Sequence, residues 1–219
     1  MPPIQKKIIR YNFYKGRAKI EYIVIHDTDN SNYGAGAINH YNFFNGGNRG
    51  SSADYFIDDK NIVQVVEDTN CSWAVGDGEG KYGITNRNSV SIEICINPES
   101  NYDIAVNYTL ELTRLLMNKY GISEKKVVRH YDASRKICPK SMSANGWAKW
   151  NEFKSRLTIK PPARKKINID TEWLKDRQIN PVDALYVAPR YSKQEISSQE
   201  PMGLIRGALK SMRRVQKKK

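Results

Sequence analysis

Residues 22–26 read Tyr-Ile-Val-Ile-His, a short apolar run followed directly by a histidine. β-Branched residues in such a run are typical of a buried strand. Residues 127–130, Val-Val-Arg-His, repeat the arrangement farther along the chain. Both His26 and His130 are therefore predicted to lie where a strand leaves the core, with their side chains available to a ligand.

The remaining hydrophobic patterns predict an α/β protein in which a mixed central β-sheet is flanked by helices. Predicted strands span residues 21–25, 54–57, 62–66, 90–96 and 126–129, with a hairpin turn at 58–61. Predicted helices span residues 35–44, 105–120 and 147–157. The apolar face of the longest helix is predicted at Tyr108, Leu112, Leu115, Leu116 and Lys119, and Gly121 is predicted to end it.

A cysteine close behind the second histidine suggests a metal site. Cys138 follows His130 in the stretch HYDASRKICP, residues 130–139. With His26 it completes three protein ligands, which leaves the fourth position of a tetrahedral Zn²⁺ open to water and lowers the pKa of that water toward about 7. A histidine after a strand is more often a hydrogen-bonded structural residue, so the spacing alone leaves both interpretations open.

Five ordered segments carry a family resemblance. They are IVIHDTDN (23–30), SADYFID (52–58), WAVGDG (73–78), NSVSIEI (88–94) and HYDASRKICP (130–139). Together they resemble the zinc-dependent N-acetylmuramoyl-L-alanine amidases of the type 2 family, which include many phage endolysins and share their fold with peptidoglycan recognition proteins. The order of the five segments makes this signal much stronger than any one of them.

The resemblance implies a set of site residues. The zinc ligands would be His26, His130 and Cys138. Glu93 would be the acid–base carboxylate, and Lys136 the cation that stabilises the transition state. Because strand side chains alternate, Glu93 points away from the neighbouring isoleucines and can face a cleft.

Two positions depart from the family pattern. Members often carry histidine where this chain has Asp54 and Ala74. Both positions are expected near the cleft, so the departures bear on substrate contacts and rate more than on metal binding. His40 is interpreted as structural, and Arg135 as a surface charge.

Charge divides the chain unevenly. Of the net charge of +13, most lies in residues 160–219, which hold 15 Lys and Arg against 6 Asp and Glu. We predict a zinc amidase domain over residues 1–159 and, over 160–219, a basic proline-containing linker with an appendage. Ile205, Leu209, Met212 and Val215 would form one stripe of an amphipathic helix there.

The resemblance implies bacterial peptidoglycan as the substrate, cleaved between N-acetylmuramic acid and L-alanine. The basic tail suits wall teichoic acid, an anionic membrane surface or a virion partner, or its helix could pack on the amidase domain with its charges solvated. Sparse aromatic residues in the tail make nucleic acid an unfavoured partner. Two alternatives remain: a non-catalytic peptidoglycan-binding module, which generally lacks the cysteine ligand, or a virion structural component that carries an amidase domain.

The sequence also bears on where the protein is made. No apolar run approaches the roughly 20 residues needed to cross a bilayer, and residues 1–7 have no apolar core of a signal peptide. Three cysteines argue against a disulfide framework. We expect synthesis in the host cytoplasm, followed by action on the wall after release or from a virion.

Overall fold

A mixed six-stranded sheet forms the centre of the fold in a computed structural model that describes residues 1–158. Its strand order is β1-β5-β4-β7-β3-β8, and every neighbouring pair is parallel except β4 with β5. Its strands are β1 (Ile4–Lys6), β3 (Tyr22–Asp27), β4 (Tyr55–Ile57), β5 (Ile62–Gln64), β7 (Ser89–Ile94) and β8 (Val127–Arg129). A separate antiparallel pair consists of β2 (Phe13–Lys15) and β6 (Asn70–Ser72).

Four helices accompany the sheet within the described residues: α1 (Ala37–Asn45), α2 (Tyr102–Tyr120), α3 (His130–Ser134) and α4 (Ala144–Thr158). The side chain of Asn101 accepts a hydrogen bond from the backbone N–H of Ile104 and so begins α2. Gly121 ends α2 as predicted, in the left-handed conformation (φ 65°) that glycine adopts without strain. Residues 145–147 in α4 also have positive φ, so the regular part of that helix follows them.

The two faces of the sheet bury different apolar clusters because strand side chains alternate. One cluster joins the strand isoleucines, such as Ile25 and Ile92, to Leu112 of α2 and Phe153 of α4. The other joins Phe56 of β4 to the α1 side of the sheet. The predicted mixed sheet flanked by helices is therefore confirmed.

The predicted elements differ from the observed ones in detail. The predicted strands and all three predicted helices are present with shifted ends, and the regular part of the third begins just after the left-handed residues 145–147. Four elements were not predicted: β1, β2, β6 and α3. The predicted apolar face of α2 is wrong at Leu115, which is 48% exposed, and at Lys119, which is also exposed. Thr109 is buried instead, because its hydroxyl donates to the carbonyl of Ala105 at 2.9 Å and so needs no water.

The predicted boundary between residues 159 and 160, the linker and the amphipathic helix lie outside the described residues. Across residues 1–158, no helix combines the length and the apolar character needed to span a bilayer.

Candidate metal centre and cleft

Three neighbouring parallel strands, β7, β3 and β8, bring predicted site residues together at their carboxyl ends. The pairing of β3 with β7 sets His26 beside Glu93. On the other side of β3, Arg129 of β8 pairs with Ile25, and His130 follows Arg129 as the first residue of α3. His26 was predicted to follow its strand, but β3 continues to Asp27, so the histidine lies within the strand.

The three predicted metal ligands converge. The ligand atoms of His26, His130 and Cys138 all lie within 4.8 Å of one another, and all three residues are buried. The two imidazole rings are tilted with centroids 4.6 Å apart.

A loop after α3 brings Cys138 to the histidines. The backbone N–H of Tyr131 donates to the carbonyl of Cys138 at 3.1 Å, which closes this loop. Beyond the cysteine, the N–H of Ser141 donates to Oδ2 of Asp27 at 2.7 Å, and Asp27 ends β3. The position of the thiol is therefore tied to the strand that carries His26.

The protonation of the three groups suits a cation. Burial lowers the pKa of His26 well below its ordinary value, and the nearby His130 and Lys136 lower it further. Burial also lowers the pKa of His130, although Asp77 opposes the shift. Both imidazoles are therefore neutral at neutral pH, as metal ligands must be. Burial raises the pKa of the Cys138 thiol, and Glu93 raises it further, so a thiolate there needs a positive partner.

An unpaired nitrogen supports the same conclusion. Nε2 of His26 is buried with no hydrogen-bond partner among the described residues. This nitrogen is therefore free to bind an ion, and it belongs to a residue whose ligand atoms lie within 4.8 Å of those of His130 and Cys138. Two neutral imidazoles and one thiol form the nitrogen and sulfur set that Zn²⁺ prefers. The residues present therefore fit a zinc ion.

Glu93 lies in the cleft beside this centre, with Oε1 3.7 Å from Nδ1 of His26. Its other oxygen, Oε2, is buried without a hydrogen-bond partner in the described part of the chain. Burial raises the pKa of Glu93 well above its ordinary value, and the Asp27 carboxylate raises it further, while Lys136 lowers it. This carboxyl group can therefore hold a proton more readily than an exposed glutamate.

The cleft extends from the convergent ligands toward α1 and toward the turn after β6. Lys136 is exposed and lines both parts of it beside His130. Arg135, predicted as a surface charge, is exposed, and its guanidinium lies 4.0 Å from the ring centroid of Tyr82. Other lining residues are Asp29, His40, Phe56, Trp73, Ala74 and Asp77.

Of the two departures from the family pattern, only Ala74 lies on the cleft wall. Asp54 is buried between the lining residues Ser52 and Phe56, so it lies near the cleft as expected but does not line it. Its carboxylate accepts from Nη2 of Arg17 at 2.6 Å, and both side chains are 1% exposed. Ser72 Oγ and the N–H of Ser91 also donate to Asp54, at 2.7 and 2.8 Å.

His40 stands in the cleft wall and packs on an aromatic ring. Its imidazole stacks on Phe56 with centroids 4.9 Å apart and an interplanar angle of 4°. Burial lowers the pKa of His40, which keeps the ring neutral. The contact agrees with the structural interpretation of this residue.

Two cleft residues were not predicted as functional, although they lie in the matched segment 73–78. Trp73 lines both parts of the cleft, and its ring centroid is 5.2 Å from that of Tyr14. Oδ1 of Asp77 lies 2.8 Å from Nε2 of His130. An acidic residue between two glycines is typical of a solvated turn, so its sequence pattern gave no sign of this contact.

A family model and curated relatives that match this chain are all N-acetylmuramoyl-L-alanine amidases. The family model described as N-acetylmuramoyl-L-alanine amidase matches residues 16–141. The chain is 30% identical over 183 residues to the N-acetylmuramoyl-L-alanine amidase CwlL of Bacillus licheniformis, with 77% of this chain and 47% of that protein covered. It is 34% identical over 132 residues to the N-acetylmuramoyl-L-alanine amidase CwlH of Bacillus subtilis strain 168, with 60% and 50% covered.

A solved structure of an endolysin has a similar fold. A mutant endolysin from Bacillus subtilis superposes with a TM-score of 0.64 at 33% identity, and the match covers 72% of this chain and 99% of that one. The chain spans about half the length of the curated relatives that it matches.

Proposed function

The chain belongs to the N-acetylmuramoyl-L-alanine amidase family, and we propose that it is a zinc-dependent peptidoglycan hydrolase with a phage lytic role. The bond cleaved is the amide between N-acetylmuramic acid and L-alanine. The observation that carries the proposal is the convergence of His26, His130 and Cys138 within 4.8 Å beside an unpaired carboxylate oxygen of Glu93.

In this proposal, His26, His130 and Cys138 hold the metal. Zinc bound by two imidazoles and a thiolate supplies a Lewis acid and a water acidic enough to be deprotonated near neutral pH. The loop hydrogen bond from Tyr131 and the Asp27–Ser141 contact support the thiol in its position. A non-catalytic binding module has no need of three convergent ligands, so this alternative is disfavoured.

Glu93 and Lys136 then divide the remaining chemistry. Amide hydrolysis needs a group that takes a proton from water and returns it to the departing amine nitrogen. Glu93 suits this role because it faces the cleft and its Oε2 has no competing donor among the described residues. Lys136, exposed at the cleft, can stabilise the negative charge that develops on the carbonyl oxygen.

The decisive experiment measures metal and turnover together. Purified protein should contain about one zinc per chain, and Cys138→Ser should lose most of it because a hydroxyl replaces a thiolate. Cys71→Ser is the matched control, since Cys71 is also a buried free thiol but is no part of the ligand cluster. Full zinc occupancy in Cys138→Ser would contradict the ligand assignment.

Two further variants separate metal binding from catalysis. Glu93→Gln and Lys136→Ala should keep zinc but lose roughly 100-fold or more in turnover on purified peptidoglycan. Mass analysis of the products should show free stem peptides that begin with L-alanine. Near-normal turnover in Glu93→Gln would mean that another group is the base.

For residues 160–219 we propose a targeting element that recognises an anionic partner: wall teichoic acid, an anionic membrane surface or a virion component. The support is their charge, 15 basic against 6 acidic residues. Removing these residues should preserve cleavage of soluble wall fragments but weaken binding to intact walls, and binding by the full chain should fall steeply between low and physiological salt. Salt-independent binding would contradict electrostatic targeting and favour docking through the apolar stripe.

A further inference from the structure

Asp77 approaches the metal centre from outside the ligand set. Its Oδ1 lies 2.8 Å from Nε2 of His130, which is a good hydrogen-bond distance. A neutral imidazole has one N–H and one lone pair, and a carboxylate can only accept. The proton of His130 must therefore lie on Nε2 for this contact to form, which leaves the lone pair on Nδ1.

The turn that carries Asp77 is held firmly at its start. Oδ1 of Asn86 accepts hydrogen bonds from the backbone N–H groups of Ala74 and Val75, at 2.9 and 2.8 Å. These two bonds fix the chain immediately before the short 3₁₀ turn Gly76–Gly78.

The same turn packs directly on the helix that begins with His130. A Cβ atom placed on Gly78 would lie 2.1 Å from the carbonyl oxygen of Ala133, a distance that no side chain tolerates. The backbone approach is therefore closer than any residue except glycine permits. Asp77 and His130 are thus held by two backbone segments in direct contact.

We propose that Asp77 is a positioning residue that accepts the Nε2 proton of His130 and so directs the Nδ1 lone pair toward the metal. The inference rests on the proposed zinc-dependent function. Metal-binding histidines commonly donate their second N–H to such a partner, and removal of the partner typically costs 10–100-fold in metal affinity.

A purely structural role is the competing explanation, and the exposure of Asp77 argues against it. Its side chain is 47% exposed. A half-exposed hydrogen bond of this kind contributes little to folding. Loss of the carboxylate should therefore weaken metal binding much more than it lowers the unfolding temperature.

Three variants of the full-length chain test the proposal by competition for zinc with a chelating dye. Asp77→Ala should bind zinc about 10–100-fold more weakly than the wild type. Asp77→Asn should lie between them, because an amide oxygen can still accept the proton but carries no charge. Glu79→Asn is the matched control, since it removes the same charge from the next exposed acidic residue and should bind zinc like the wild type. Wild-type affinity in Asp77→Ala, with the fold intact, would overturn the proposal.

The imidazole proton gives an independent measurement. Nitrogen-15 NMR of the purified wild type should show the His130 proton on Nε2, exchanging slowly with solvent, and Asp77→Ala should lose that protection. A proton on Nδ1 in the wild type would overturn the proposal even if no variant could be purified. If the wild type carries no zinc, the proposed function fails, while the NMR result still decides whether Asp77 orients the ring.

Discussion

The ion pair between Arg17 and Asp54 should be one of the most costly contacts to break in the described part of the chain. Both side chains are 1% exposed, and Nη2 of Arg17 lies 2.6 Å from Oδ1 of Asp54. Arginine cannot lose its proton in a protein, so Asp54→Asn would leave a full positive charge buried without its partner. Breaking a buried pair in this way costs about 3–5 kcal/mol of unfolding free energy. In a chain of this size that corresponds to a drop of roughly 10 °C in the melting temperature.

A double-mutant cycle measured by urea unfolding gives the assay. Arg17→Met alone should also be costly, because it leaves the carboxylate unpaired. The double variant should be less destabilised than the sum of the single variants, by at least about 1 kcal/mol. Glu67→Ala is the control: Glu67 pairs with Lys6 at 2.7 Å, but both side chains are exposed, so the change should cost less than about 1 kcal/mol.

One result would refute this reasoning. If Asp54→Asn lowers the unfolding free energy no more than Glu67→Ala does, Arg17 and Asp54 do not form a buried charge pair, and the structural role given to Asp54 is wrong. Zinc content should stay at the wild-type level in Asp54→Asn, because Asp54 is outside the ligand cluster and the cleft lining. If Asp54→Asn lost zinc but kept its stability, Asp54 would have to be assigned a role at the active site.

Three other outcomes are expected. Phe153→Ala should lower the unfolding free energy by about 3–5 kcal/mol in urea titrations, because Phe153 is 1% exposed in the core. Gly78→Ala should cost about 1–3 kcal/mol, since the added methyl meets the Ala133 carbonyl, and an unchanged melting temperature would contradict that close contact. Burial raises the pKa of Asp68, but hydrogen bonds that include one from Lys119 lower it overall. The contact therefore contributes its full stabilisation above about pH 4 and loses it as the pH falls through the lowered pKa. Asp68→Asn should cost under about 1 kcal/mol at pH 7 and progressively less in acid, as unfolding curves at several pH values can measure.

The sequence predicted the central sheet and the closeness of two candidate ligands for two physical reasons. Buried parallel strands often read as near-continuous apolar runs, as in β3, whereas β7 alternates polar and apolar residues, and β-branched residues mark both as strands. Parallel strands also end at the same edge of a sheet, so His26 and His130 had to be near each other once their strands were neighbours. The spacing already suggested Cys138 as a third ligand, but the choice between a metal site and structural residues needed the family resemblance, because the path of a loop does not follow from periodicity.

The parts that could not be predicted depend on contacts rather than on patterns. The three-residue strands β1, β2 and β6 are too short to show alternation, and their pairing partners are distant in sequence. Thr109 is polar and would be expected at the surface, but it is buried because its hydroxyl donates to the Ala105 carbonyl, which removes the free-energy cost of taking that hydroxyl out of water. Asp54 looked like a cleft residue because a family pattern places histidine there, and only the fold reveals Arg17 against it.

The contact between Asp77 and His130 depends on the glycine that follows Asp77. An exposed acid between two glycines carries no information about its partner, because solvated turns have the same composition. Gly78 is different: its φ does not require glycine, so its lack of a side chain must serve a close approach instead. That approach is to α3, whose first residue is His130. A glycine that is needed for space rather than for conformation therefore marks the place where the turn meets the candidate metal centre.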